Sequence, residues 1–385
     1  MHEPVSSIEV LRQWGRIGCL GFGGPPAHIA MLRDLCVVRK RWLTEEYFED
    51  AIATCNLLPG PASTQLSILC AWSVAGMRGA IVGGLAFILP GLVAIIALAW
   101  LFLSDVAPQW VVAAGAGASS ALAAVALHAG WSLVPASWKR TRSRPRWMSY
   151  VVAGTAAAVF AGPWIVVVLL GCGVIETVVR RVSDSGFASL SPALLWGGIL
   201  ASDGTREALQ GSLVWTAAKV GALSYGGGFV IIPLMFDDAV ARHDWMTDGQ
   251  FLDAVVLGQV TPGPVVHTVS AVGYAASGIT GALVAALVAF MPSFVFIGAG
   301  ARHFDRFRTN DTVRTFLDGT GPAAIGAILG VSVPLIAALS HGWQFALAAV
   351  GVASMFVLRR SPFVTLVALA ATGAALVWFG APLPN

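Results

Sequence analysis

One stretch of 47 residues occurs twice in this chain of 385 residues. Residues 15–61 align with residues 218–264 at a constant offset of 203 without gaps, and 16 of the 47 positions are identical. The identical positions include Gly23-Gly24 with Gly226-Gly227, Trp42 with Trp245, and Pro59-Gly60-Pro61 with Pro262-Gly263-Pro264. Each copy begins a long apolar half-chain. Because membrane proteins with two homologous halves are commonly transporters that bind substrate between the halves, the repeat indicates solute translocation.

The composition places the chain in a membrane. Hydrophobic residues make up 57% and charged residues 11%, whereas a soluble domain carries roughly 25% charged residues. The sequence contains no HExxH motif, nucleotide-binding loop or metal-ligand cluster. We therefore expect a protein that is not an enzyme, has no cofactor and no metal, and binds no nucleic acid.

Apolar segments divide the chain into two similar halves. A helix needs about 20 apolar residues to cross a bilayer, and fewer if it is short or broken. The sequence predicts helical segments at 6–32, 51–75, 80–103, 110–134, 147–161 and 163–179, and again at 212–236, 254–277, 279–300, 320–339, 343–358 and 362–380. The stretch 182–211 is more polar and predicts a linker. The expected domains are therefore a first repeat at 1–181 and a second at 212–385.

Basic residues in the loops predict that the second half is inverted relative to the first. Lysine and arginine collect in cytoplasmic loops. Loop 135–147 carries five of these residues and its counterpart 340–343 has none, whereas loop 301–314 carries four arginines and its counterpart 104–109 has none. Arg359 and Arg360 likewise stand opposite the neutral turn at Gly162-Pro163. Inversion requires an odd number of crossings in each half.

The Pro-Gly-Pro sequences suggest how the odd number arises. Segment 51–75 has basic residues at both ends, in Arg39-Lys40-Arg41 and at Arg78, and Pro59-Gly60-Pro61 interrupts it. Proline and glycine both disfavour a continuous helix, so a re-entrant hairpin fits. The expected fold is an all-α polytopic membrane protein with about ten crossings and two re-entrant broken segments. The alternative is an ordinary span with a kink.

The repeated motifs resemble those of the chromate ion transporter family in its long two-domain form. The resemblance rests on three matched sequences: Gly21-Phe22-Gly23-Gly24-Pro25 with Ser224-Tyr225-Gly226-Gly227-Gly228, Arg41-Trp42-Leu43-Thr44 with Asp244-Trp245-Met246-Thr247, and the two Pro-Gly-Pro sequences. It implies a secondary transporter that exports chromate across the bacterial inner membrane and confers chromate resistance. The alternative is a carrier or channel for sulfate or another small anion. Chromate and the lipid bilayer are the expected partners. Sulfate and a second copy of the chain are further candidates.

Several matched residues suit a tetrahedral oxyanion. Glycine-rich turns expose consecutive backbone N–H groups that bind anions, and helix N-termini add positive potential. The substrate-binding candidates are Gly23, Gly24, Gly226, Gly227, Pro59, Gly60, Pro61, Pro262, Gly263, Pro264, Thr64, His267 and the matched amides Asn56 and Gln259. A glycine pair also serves helix packing, and the two amides also suit capping of broken backbone. His267 is also compatible with proton coupling or with a packing role.

Four matched charges complete the candidate site. Arg16 and Lys219 lie in apolar segments, where an ionised residue is costly and is a candidate for function. We expect both to hold the anion, and the alternative is an interfacial position with the charge at the headgroups. Asp50 and Asp253 are candidates for proton coupling or else solvated interface charges. Thr44 and Thr247 are expected to be helix N-caps.

Overall fold

The structure, a computed structural model, is mostly helical and has no strand in the residues that it describes. These are residues 5–55, 60–103, 107–161, 164–184, 209–224, 231–300 and 310–383. The helices are α1 Ser7–Leu20, α2 Pro25–Arg33, α3 Glu45–Cys55, α4 Ala62–Phe102, α5 Gln109–Ser119, α6 Leu122–Arg140, α7 Arg144–Phe160, α8 Ile165–Asp184, α9 Leu209–Leu223, α10 Ile231–Phe236, α11 Asp248–Val260, α12 Thr268–Gly300, α13 Asp311–Gly330, α14 Ser332–Ala337, α15 Gly342–Val352 and α16 Pro362–Trp378. The expectation of an all-α fold is confirmed for this part of the chain.

Four helical stretches are apolar and long enough to cross a membrane, as judged by length and composition in the described residues. They are Ala62–Phe102, Gln109–Arg140, Val265–Gly300 and Asp311–Ala337. Shorter apolar helices cover Ser212–Leu223, Gly342–Val357 and Pro362–Trp378. These helices identify a membrane protein, and the number of about ten crossings stays a prediction.

The segment expected as one span at 6–32 is two helices. Ser6 caps α1 by accepting a hydrogen bond from the backbone N–H of Glu9 at 3.3 Å. The helix then stops before Gly23 and Gly24, whose φ angles of 101° and 72° lie outside the helical region. Proline follows at once as the first residue of α2, a position where its missing N–H costs nothing. The prediction of a continuous span here was wrong, because the two glycines turn the backbone out of the helix.

The Pro-Gly-Pro segments stand at the head of sharp hairpins. Inside α4, Ala75 and Gly76 leave the helical region, and the chain folds back so that a Cβ on Gly84 would lie 2.9 Å from the Ile68 side chain. Helix α12 breaks at Ser277 and Gly278 with almost the same angles. At 1.5 Å per residue, α3 and the arm 62–74 are each about 16–20 Å long. Neither arm alone crosses a hydrocarbon core of about 30 Å.

Local geometry also repeats at matched positions. Asp34–Arg39 and Asp237–Arg242 both form π-helical turns, which continue α2 and α10. Arg41 and Asp244 follow them with φ angles of 52° and 50°. The two predicted N-caps are confirmed. The Thr44 hydroxyl accepts from the N–H of Tyr47 at 3.2 Å, and Thr247 forms a capping box with Gln250.

The remaining helices pack across the two halves of the sequence. Helix α13 of the second half packs against α7 and α8 of the first, and α16 packs against α5. Arg180 donates to Glu176 at 2.7 Å and to Asp318 of α13 at 2.9 Å, which ties the halves together. Where α5 meets α16, the backbones of Gly117 and Gly373 are so close that a Cβ on Gly117 would lie 2.8 Å from the Gly373 Cα. The halves therefore share one core.

Candidate functional site

Each Pro-Gly-Pro turn contacts the first helix of the other half. The backbone N–H of Gly263 donates to the carbonyl of Gly21, just after α1, at 3.0 Å. A Cβ on Gly60 would lie 3.2 Å from the carbonyl oxygen of Gly221 in α9. Two motifs separated by 203 residues are thus brought to the boundary between the halves, the place at which transporters with repeated halves bind substrate.

A small cleft lies at this boundary, and helix N-termini surround it. The cleft is lined by Pro25, Pro61, Ala62, Ser63, Pro264, Val265 and Val266. These residues begin α2, α4 and the 3₁₀ turn Val265–His267 that leads into α12. Each helix N-terminus carries roughly half a positive charge. The cleft therefore combines three positive dipole ends.

The caps of these three N-termini leave backbone donors for a ligand. Gly24, Pro61 and Pro264 occupy the cap positions, and none of them makes a side-chain hydrogen bond to the first turn. A helix normally satisfies such N–H groups with a side chain, water or a ligand. Helix α2 contributes its dipole only, because its first two residues are prolines. The N–H groups at the start of α4 and of the 3₁₀ turn are the donors that an anion would use.

Buried polar side chains surround the two turns. Among the described residues, the hydroxyl groups of Thr64, Ser270 and Ser293 and the amide nitrogen of Gln259 are buried and make no hydrogen bond. Buried polar groups are nearly always satisfied, and exceptions point to a functional site or an ordered water. His267 is fully buried, with its imidazole 5.1 Å from the ring of Phe290 and next to the turn at Gly263. The structure thus gathers three predicted residues, Thr64, Gln259 and His267, around the Pro-Gly-Pro turns.

The two matched cations have different surroundings. Arg16 is exposed on α1, whereas the side chain of Lys219 is 8% exposed on α9 and forms an ion pair with Asp238. The Thr216 hydroxyl also donates to Asp238, at 2.7 Å. The structure does not bring Arg16 into the interior with Lys219. Whether both cations bind the anion stays a prediction.

The two matched carboxylates are half-buried. Asp50 lies in α3, and its backbone carbonyl accepts from the Thr54 hydroxyl at 3.0 Å. Asp253 lies in α11 against α5, where a Cβ on Gly115 would be 2.9 Å from its carboxyl carbon. Their role in proton coupling stays a prediction.

Some of the predicted residues lie outside the described part of the chain. They are Asn56, Pro59, Gly226 and Gly227. Conversely, sequence reasoning passed over Asp238, because Leu35 stands at the matched position of the first copy. A comparison of the two copies for charges present in only one of them, continued past the apolar segment that ends at residue 236, would have found it.

The chain matches both a protein-family model and individual known proteins. The family model described as chromate transporter matches the chain twice, at residues 8–177 and 211–376. A chromate transport protein of Cupriavidus metallidurans is 30% identical over 83% of this chain and 80% of its own length. A probable chromate transport protein of Synechococcus elongatus is 27% identical over 98% of this chain and 97% of its own length.

A third relative, a chromate transport protein of Pseudomonas aeruginosa, is 29% identical over 86% of this chain and 82% of its own length. No solved structure matches the chain. The relatives are transport proteins by name, and the apolar helices are those of a multi-pass membrane protein. With both halves matched by one family model, this chain belongs to the chromate transporter family.

Proposed function

We propose that this protein is a secondary transporter that exports chromate from the cytoplasm and so confers chromate resistance. The observation that carries the proposal is the convergence of three helix N-termini, without side-chain caps, at a cleft between the halves. A tetrahedral dianion needs several donors and a positive potential, and helix N-termini supply both. The names of the relatives refer to chromate, so a carrier for sulfate or another small anion is not proposed.

The substrate is held by backbone groups and by cations. The N–H groups at the start of α4 and of the 3₁₀ turn bind the oxyanion, and Gly60 and Gly263 allow the turns that aim them. Thr64, Gln259 and His267 lie behind the turns, and Lys219 and Arg16 supply positive charge. The matched glycine pairs, Asn56, Pro59 and the other prolines of the turns complete the proposed set.

The membrane potential is sufficient to drive export. A potential that is negative inside favours the exit of an anion by about 2.3 kcal/mol per charge per 100 mV. Coupling to protons through Asp50 and Asp253 would add a pH gradient to this driving force.

Proteoliposomes test the proposal directly. With the membrane potential and the pH gradient set independently, we expect labelled chromate to move toward the positive side only when the protein is present. Unlabelled sulfate added in excess should compete weakly. An absence of protein-dependent chromate flux under every gradient would contradict the proposed function. A flux of sulfate that exceeds the flux of chromate would show that the substrate is wrong.

The proposed topology is an inverted repeat in the bacterial inner membrane. Domains 1–181 and 212–385, joined by the linker 182–211, would each contribute five crossings and one re-entrant segment. The short arms on either side of the Pro-Gly-Pro turns support the re-entrant segments. Both termini would lie outside the cytoplasm.

Cysteine accessibility tests this topology. Single cysteines introduced into loops 135–147 and 301–314 are both expected to react with a membrane-impermeant maleimide only from the cytoplasmic side, because both loops are basic. Cysteines in loops 104–109 and 340–343 are the controls and should react from the periplasm. Opposite sidedness of the two basic loops would rule out inversion.

A further inference from the structure

The ion pair of Lys219 and Asp238 is buried in the second half, between α9 and the π-helical turn after α10. The two side chains are 8% and 2% exposed. Thr216 donates to the same carboxylate, and the Trp215 ring lies 5.8 Å from the Lys219 ammonium. Removal of two charges from water costs about as much as their attraction returns, so such a pair is weak evidence for a role in stability.

The first half shows that this architecture does not need the pair. It contains the same broken first helix and the same π-helical turn. At the position of Asp238 it has Leu35, which is fully buried, and at the position of Lys219 it has Arg16, which is exposed. One copy of the repeat therefore folds around a leucine where the other holds a buried charge. The pair is therefore a feature of the second half and not a requirement of the repeat.

Lys219 lies on the helix that approaches the candidate site. It precedes by two residues Gly221, whose carbonyl faces the turn at Gly60. In the first half, the glycine-rich sequence after the matched helix leads directly to Pro25 at the cleft. Residues two positions apart on an α-helix point to opposite sides, so Lys219 faces Asp238 rather than the turn at Gly60, and its long side chain must leave Asp238 to meet an anion there.

We propose that Asp238 is an internal counter-ion, which holds Lys219 while the protein is empty and is displaced from it by the transported dianion. This inference rests on the proposed function. When the anion arrives, the Lys219 ammonium turns to it and Asp238 keeps the hydrogen bond from Thr216. When the anion leaves, the carboxylate takes the ammonium back, so that no bare cation remains in the interior. Asp238 is thus a positioning residue that lowers affinity and speeds release.

The substitution Asp238→Asn separates this role from a structural one. With the competing carboxylate gone, we expect the affinity of the solubilised protein for labelled chromate to rise about tenfold, because more of the protein is in the binding-competent state. The maximal transport rate in proteoliposomes should fall by a similar factor, because release slows. A structural role would lower affinity and rate together. Asp237→Asn is the matched control, since Asp237 pairs with the exposed Arg242, and it should change neither quantity.

A second measurement uses the wild-type protein, so it remains decisive even if Asp238→Asn does not fold or reach the membrane. Addition of chromate should produce an infrared difference band from a carboxylate that loses its ion pair, and the band should be missing in the double variant Lys219→Gln/Asp238→Asn. Two results would overturn the inference. One is chromate binding by the wild type without that band, and the other is an Asp238→Asn variant whose affinity and transport rate equal those of the wild type. An absence of chromate binding by the wild type would instead overturn the proposed function.

Discussion

Valine in place of Gly60 or Gly263 is expected to abolish chromate export while the protein still reaches the membrane. The two glycines have φ angles of 112° and 90°, and a side chain forced into such a region costs roughly 1–3 kcal/mol. A Cβ on Gly60 would also lie 2.7 Å from the Gln65 amide nitrogen, and one on Gly263 would lie 3.2 Å from the His267 ring. The turn would shift and move the N–H groups of the next helix away from the cleft. Export from whole cells and the amount of protein in membranes are the two measurements.

Gly171→Val is the matched control for these variants. Gly171 lies within α8, has an ordinary helical backbone, and has no atom within 4 Å of an added Cβ. It should export chromate at the wild-type rate. Normal export by both Gly60→Val and Gly263→Val would leave the kinked span as the better description of the Pro-Gly-Pro segments.

Replacement of Lys219 by Gln is expected to have the second largest effect, a loss of chromate affinity of about tenfold or more. The variant removes the buried cation and leaves the carboxylate of Asp238, which repels a dianion. Arg16→Gln should weaken binding less, because Arg16 is exposed. The loss in the double variant Arg16→Gln/Lys219→Gln should be smaller than the sum of the two, since both cations act on one ligand.

Equilibrium binding of labelled chromate to the solubilised variants checks this order. Lys219→Gln/Asp238→Asn controls for folding, because it removes the ion pair without leaving a single buried charge. If Lys219→Gln and Arg16→Gln both accumulate and bind chromate as the wild type does, the two cations have no part in the site.

Features that depend on neighbouring residues were predictable from the sequence. The repeat, the membrane class and the N-caps Thr44 and Thr247 follow from residue types at short spacing. So does the interruption of helices at the Pro-Gly-Pro sequences, because proline lacks the N–H that a helix needs and glycine admits positive φ angles. The positions of these turns at the heads of α4 and α12 agree with that interpretation.

The break of the first helix at Gly23-Gly24 was not predicted, whereas the turn at Ala75-Gly76 falls at the boundary predicted between the segments 51–75 and 80–103. The break at Gly23-Gly24 lies inside an apolar segment of suitable length, where a glycine pair is equally compatible with a packed helix. The sequence alone does not distinguish the two cases, because the choice depends on the helices that receive the turned chain. Here α1 and both arms of α4 pack together, and that packing stabilises the breaks.

The sequence by itself determined the class of the protein, its repeat and the turns that begin the site. Only the tertiary structure decided which turn meets which helix, and which cation is buried. The backbone N–H of Gly263 donates a hydrogen bond to the carbonyl of Gly21, which lies in the other half of the chain. Lys219 finds Asp238, whereas the matched Arg16 is exposed. Local signals act within a few residues of the chain, but the environment of a charge depends on all the helices that fold around it.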